Sequence, residues 1–187
     1  MSPEVYLVRH GETEWSLSGR HTGSTDLPLT AHGEHEAAHL GDRLGKIHFD
    51  AVYSSPLQRA RRTAEIAGFS KPQLTTLLRE VDYGDYEGKT TKEIHESRPD
   101  WELYKDGSPG GETPEQIYNR ALDFAALAAT VDGRVLAFSH GHFLRAVAIA
   151  WMKLDIAAAV ALYLDVATLS ILRDDDHGRV LAVWNAP

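Results

Sequence analysis

The chain has 187 residues, 43% of them hydrophobic and 25% charged, with a net charge of −8 and no cysteine. A chain of this length can bury roughly 70% of its unfolded surface, which rules out a disordered polymer, and the acidic balance argues against nucleic acid or an anionic membrane as main partner. Without cysteine there is no disulfide, no thiolate nucleophile and no Cys-based zinc site, so only His, Asp and Glu remain as metal ligands.

A single domain spanning residues 1–187 is expected, because no linker, repeat or low-complexity tract divides the sequence. The first apolar run, "VYLV", is cut by Arg9, which is too soon for a signal peptide. The apolar run "IAAAVALYL" near the C-terminus has nine residues, far short of the ~20 that span a bilayer, and fits either core or an interface. Both features point to a cytoplasmic chain, with a homodimer left open.

Residues 4–8 read as a short buried strand, followed by a loop to about Pro28. Thr30 caps a helix running to about Leu44, and "DAVYS" is a second strand. The next helix has Ser55 as its expected N-cap, Pro56 in its first turn and Gly68 as its stop. "LTTLL" is a third strand candidate. Thr90 with Glu93, and Thr113 with Gln116, have capping-box spacing and open two more helices. "RVLAFS" is a buried strand leading into the helix "HGHFLRAVAIAWM", and "ATLSILR" with "RVLAVWN" forms a terminal hairpin around "DDDHG". Strands alternating with helices predict an α/β fold with a mostly parallel sheet covered on both faces, and ligands in such folds bind beyond the carboxyl ends of the strands.

Those strand ends carry unusual chemistry. "LVRHGET" places Arg9 and His10 at the first exit, and Arg59 and Arg62 begin the helix after the second. "REVDYGDYEG" is rich in carboxylates, and "LAFSHGH" puts His140 just before a glycine and a helix. Arginines, two histidines and a carboxyl group suit phosphoryl transfer, which depends on positioning and on stabilising charge over the equatorial oxygens. A neutral histidine held in one tautomer is a credible nucleophile for phosphorus, and a carboxyl group of raised pKa can protonate the leaving oxygen.

"RHGET", "SSPLQRA", "LREVDYGDYEG" and "FSHGHFLRA", in that order, resemble the histidine phosphatase superfamily, the phosphoglycerate mutase-like proteins. The resemblance implies a three-layer α/β/α sandwich that needs no metal or other cofactor. By that likeness His10 is the phosphorylated residue and Arg9, Arg59 and His140 complete the phosphate pocket. Glu80 matches the proton donor, with Glu87, Asp82 and Asp85 as competing carboxylates. Substrate-binding positions implied are Ser16, Thr22, Gly23, Tyr83, Gly141 and His142. "YGDYEG", "DGSPGGET" and "SHGHFLRA" look more like the phosphatase branch, including broad acid phosphatases and sedoheptulose-bisphosphatase-like proteins, than like the mutases. The interval after the "EG" segment is short and not very basic, and Thr91 stands where mutases carry a lysine. A hydrolase of small phosphomonoesters is therefore expected, with phosphoglycerate mutase-type transfer as the alternative.

One motif points elsewhere. "HEAAH" (His35, Glu36, His39) matches a zinc-protease signature. At about 100° per residue, however, Ala37, Leu40, Gly41 and Leu44 make the buried face and both histidines fall on the solvent side. "WELYKDGSPGG" reads either as a surface loop or as a hinged lid with Trp101 and Tyr104.

Overall fold

A computed structural model describes residues 3–176 and 178–187. Its six strands are β1 (Glu4–Arg9), β2 (Ala51–Ser54), β3 (Gln73–Leu74), β4 (Arg134–Ser139), β5 (Leu169–Asp175) and β6 (Gly178–Ala186). They form one mixed sheet in the order β3-β2-β4-β1-β5-β6. β1, β2, β3 and β4 run parallel, while β5 pairs antiparallel with β1 and with β6, as a terminal hairpin should. His177, at the turn expected for that hairpin, lies outside the described residues.

The two faces of the sheet follow from side-chain alternation along single strands. Val5 and Leu7 of β1, with Val135 and Ala137 of β4, belong to one buried cluster. It is filled by Ile117 and Phe124 of α6 (Pro114–Ala129) and by Phe143, Val147 and Trp151 of α7 (Gly141–Met152). Tyr6, Val8, Leu136 and Phe138, the intervening residues, face a second cluster. There Leu40 and Leu44 of α2 (Ala31–Leu44) meet Ala60 and Ala64 of α3 (Gln58–Ile66). Strands apolar on both sides are what a sheet covered by two helical layers demands. Phe138 is fully buried, and truncating it to Ala would cost about 3–5 kcal/mol in transfer and cavity terms.

The helix starts obey local chemistry. Thr30 Oγ1 accepts from the Gly33 N–H at α2, and reciprocal capping boxes join Thr90 to Glu93 at α4 (Thr91–His95) and Thr113 to Gln116 at α6. Two short helices, α1 (Glu14–Ser18) and α5 (Leu103–Asp106), complete the set.

Three local expectations are corrected. The loop expected up to Pro28 contains α1, started by a Thr13–Ser16 capping box. "LTTLL" forms only the two-residue β3 and a 3₁₀ turn at Thr76–Leu78, where Thr75 Oγ1 accepts from the Leu77 N–H and bends the chain away from the sheet. Ser55 does not cap α3, which starts only at Gln58 with Leu57 as N-cap and no side-chain bond; the Ser55 hydroxyl accepts from the Leu57 N–H before the helix and meets His140. The segment around Trp101 is tied down by buried aromatics: Trp101 Nε1 donates to the Gly107 carbonyl at 2.7 Å and Tyr104 Oη to the His142 carbonyl at 2.9 Å. Among the described residues no helix is long and apolar enough to cross a membrane.

Register sets the functional end of the sheet. Arg9 pairs with Ser139 and Ser54 with Phe138, so His10, His140 and Ser55 emerge side by side.

Candidate active site

A cleft of about 210 Å³ opens at this end, lined by Arg9, His10, Ser16, Thr22, Glu80, Tyr83, Gly141 and His142 among others. The imidazoles of His10 and His140 meet edge to face with centroids 5.2 Å apart. His10 Nδ1 lies 2.7 Å from the Gly11 carbonyl oxygen. A carbonyl only accepts, so Nδ1 carries the proton and Nε2 presents a lone pair to the cleft. Burial, with the positive charges of Arg59 and Arg9, holds the His10 imidazole well below the usual histidine pKa. His10 is thus a neutral imidazole in one tautomer.

Arg9 is half-buried beside it. Its Nη1 donates to the Leu164 carbonyl, while its buried Nε has no hydrogen-bond partner. Nε faces Gly141, and the guanidinium brings a positive charge to the cleft wall, where it can stabilise a phosphoryl group. Gly141 makes room for the guanidinium: a Cβ there would stand 3.1 Å from Arg9 Cζ and 3.2 Å from Nε.

Arg59 and His140 are fully buried and lie behind His10 instead of lining the cleft. Arg59 Nε donates to His140 Nδ1 at 3.1 Å, and the rest of the guanidinium grips the carbonyls of Thr22, Gly23 and Thr25. Burial first, then Arg59 and the other nearby groups, pushes the His140 pKa well down. Arg59 therefore places positive charge beneath the cleft and ties the loop of residues 22–25 to His140. Arg61 and Arg62 are exposed.

Glu80 reaches the N-terminus of α7. Its Oε1 accepts from the N–H groups of Val81 (3.0 Å) and Phe143 (2.8 Å), and its Oε2 from that of His142 (3.1 Å). Burial raises its pKa above the ordinary carboxylate value, outweighing those backbone donors and Arg59, which act the other way. Oε2, with one donor, is the oxygen able to carry a proton. Glu87, the competitor, is spent on structure: its carboxylate accepts from the N–H groups of Gly23 and Thr25. Asp82 is turned onto the Gly84 N–H.

The other expected binding residues divide. Thr22 lines the cleft, whereas the Gly23 N–H is occupied by Glu87. Ser16 lines it too, with its hydroxyl committed to Thr13. Tyr83 Oη and His142 Nδ1 are 2.6 Å apart, and His142 is held well below the ordinary pKa by burial and by Arg145 and other groups. Cleft residues not expected from the sequence are Gly19, Arg20, His21 and Leu164; Thr91, the position where mutases carry a lysine, and Arg145, on the helix after His140, line the cleft as well. His21 stacks on Tyr83 at 4.8 Å, and burial lowers its pKa to about 4. Arg20 and His21 precede Thr22 directly and were legible by that adjacency; Leu164 comes from a remote segment and was not.

His35 and His39 are exposed, and Glu36 accepts from the Glu12 N–H at 2.9 Å. Among the described residues no group of three His, Asp or Glu side chains is placed to hold a metal ion.

Comparison with known proteins adds to this geometry. The family profile described as "Histidine phosphatase superfamily (branch 1)" matches residues 5–187. An acid phosphatase of Mycobacterium tuberculosis is 43% identical over 183 residues, covering 96% of this chain and 90% of that protein. Sedoheptulose 1,7-bisphosphatase of Saccharomyces cerevisiae is 35% identical over 83% of this chain and 70% of its own length. A solved open-reading-frame product of Mycobacterium tuberculosis superposes with a TM-score of 0.95 at 41% identity, covering 98% of this chain and 97% of that one.

Proposed function

The chain belongs to the histidine phosphatase superfamily, and from that premise we propose that it hydrolyses small phosphomonoesters, sugar phosphates among them, through a phosphohistidine on His10 with Glu80 as proton donor. The supporting observation is the fixed tautomer of His10, whose Nδ1 is held at 2.7 Å from the Gly11 carbonyl so that Nε2 is the nucleophile.

In this reading Nε2 attacks phosphorus in line and the P–O bond to the alcohol breaks. The Glu80 carboxyl group gives its proton to the departing oxygen. Arg9, in the wall of the cleft, sets its charge against the phosphoryl oxygens, while Arg59 adds charge and the neutral His140 adds order from behind. Water then attacks the phosphohistidine, the Glu80 carboxylate takes its proton, and inorganic phosphate leaves as His10 is freed. No step calls for a metal or a cofactor, and a cytoplasmic location suits such substrates. The names of the related proteins, an acid phosphatase and a sugar bisphosphatase, support hydrolysis.

The test is phosphate release from p-nitrophenyl phosphate in EDTA by wild type and His10→Ala. Turnover by wild type, with loss of nearly all of it and of the acid-labile phosphoryl adduct in His10→Ala, is the expected result. Equal turnover in both would overturn the mechanism. Silence in both, with phosphoglycerate interconversion by wild type, would assign the mutase reaction instead.

A further inference from the structure

Arg120 lies on α6, away from the cleft, yet its guanidinium is wrapped around the segment that carries Glu80. Nε and Nη2 donate to the two carboxylate oxygens of Glu112 at 2.9 and 2.8 Å. Nη1 donates to the carbonyls of Leu77 (3.1 Å) and Arg79 (2.6 Å), and Nη2 reaches the Glu80 carbonyl at 3.4 Å. The guanidinium also lies over the ring of Phe143, 3.9 Å from its centroid. Phe143 supplies one of the N–H groups on the Glu80 carboxylate.

Glu112 closes the other side. Its Oε2 accepts from the Asp82 N–H, and its own N–H donates to the Asp82 carbonyl, both at 2.9 Å. One Arg–Glu pair therefore grips the chain before and after Glu80. Residues 80–83 belong to no helix or strand, and a cavity of about 320 Å³ lies against them with Glu80, Glu112 and Arg120 in its wall. No ladder of backbone bonds fixes this stretch; Val81 and Tyr83 anchor it in the core on one side, and its other side borders the cavity. On that side the guanidinium and Glu112 hold the backbone.

We propose that Arg120, with Glu112, is a positioning residue that fixes the Glu80 carboxyl group against the start of α7 for proton transfer to the leaving oxygen. The inference rests on Glu80 being the proton donor. Only a planar fork can serve Glu112 and three carbonyls at once. Lysine offers a single charged head and cannot replace it.

The experiment measures kcat and KM for folded Arg120→Met, Arg120→Lys and Glu112→Gln on p-nitrophenyl phosphate and on an alkyl phosphate, beside Glu80→Gln. For both Arg120 variants we expect kcat/KM, which reports the phosphorylation step alone, to fall by no more than about fivefold on the activated ester and by about 100-fold on the alkyl ester, since in that step only the alkyl oxygen needs the proton. Glu112→Gln should show the same pattern at smaller size. Losses equal on the two esters, or no loss, would overturn the proposal. If Arg120→Met does not fold, Arg120→Lys and Glu112→Gln are judged by the same criterion. Glu80→Gln separates the failures. If it discriminates between the esters and the Arg120 variants do not, only the positioning role falls; if it does not discriminate, the assignment of the acid falls and this role with it.

Discussion

Arg59 Nε stands 3.1 Å from His140 Nδ1, and an arginine can only donate. Nδ1 of His140 is therefore the acceptor and its Nε2 carries the proton. That proton is given to Ser55 Oγ at 2.8 Å. The second histidine of the site is locked in one tautomer by a helix residue on one side and a strand-end hydroxyl on the other.

Ser55→Ala removes that acceptor and leaves a buried N–H with no partner. Stability should drop by about 1–3 kcal/mol, read as a lower urea midpoint at unchanged m-value. A change under about 0.5 kcal/mol would mean that Nε2 finds another partner.

Gly141→Ala separates activity from stability. Gly141 is a helical residue, so alanine should leave the melting temperature unchanged or slightly raised. The new Cβ, 3.1 Å from Arg9 Cζ, must push the guanidinium aside. We expect kcat/KM on p-nitrophenyl phosphate to fall by about tenfold or more, as for a misplaced electrostatic group. Full activity would show that Arg9 need not sit where the glycine lets it.

Glu80 and Glu87 should fail differently. Glu87→Ala frees the N–H groups of Gly23 and Thr25 and loosens the loop bearing Thr22. Its losses should be similar for aryl and alkyl phosphates, with stability reduced by about 1–3 kcal/mol. Glu80→Gln should hurt the alkyl ester far more. If Glu87→Ala discriminated between leaving groups instead, the roles of the two carboxylates would be exchanged.

His21 predicts a pH dependence of stability. Its folded pKa, about 4, lies below the ordinary value of 6.5, mainly through burial. Between those two values the unfolded chain binds the proton and the folded chain does not, so stability falls as pH drops from 6.5 towards 4. The full loss is about 3 kcal/mol at roughly 1.4 kcal/mol per unit. Urea titrations at the two ends of that window should show His21→Phe with a shallower slope than wild type; parallel slopes would dissociate His21 from the effect.

The sequence showed what local rules control. Short continuous apolar runs announced β1 and β4, and the Thr90–Glu93 and Thr113–Gln116 spacings announced two helix starts that the structure contains. It misled where a tertiary partner took over. Ser55 is a good N-cap in isolation, but α3 starts only at Gln58 and the Ser55 hydroxyl meets His140. "LTTLL" is apolar and β-branched enough for a strand, but Arg120 holds the Leu77 carbonyl and the Thr75 hydroxyl turns the chain. In the site, the strand-end residues could be found because parallel strands finish together. Leu164 could not, since its place depends on how the chain after α7 folds back over the cleft. Glu80 lines the cleft and Glu87 turns onto the loop of Gly23 and Thr25; composition left the two in competition, and the family resemblance alone favoured Glu80.

The bond from His10 Nδ1 to the Gly11 carbonyl also decides the isomer of any phosphoenzyme. A phosphoryl group taken up by this imidazole would sit on Nε2, giving tele-phosphohistidine. The pros nitrogen would keep its proton and its carbonyl partner throughout the cycle. The ring then has no need to rotate between attack and release, and an antibody or NMR probe that distinguishes the two isomers would see only one.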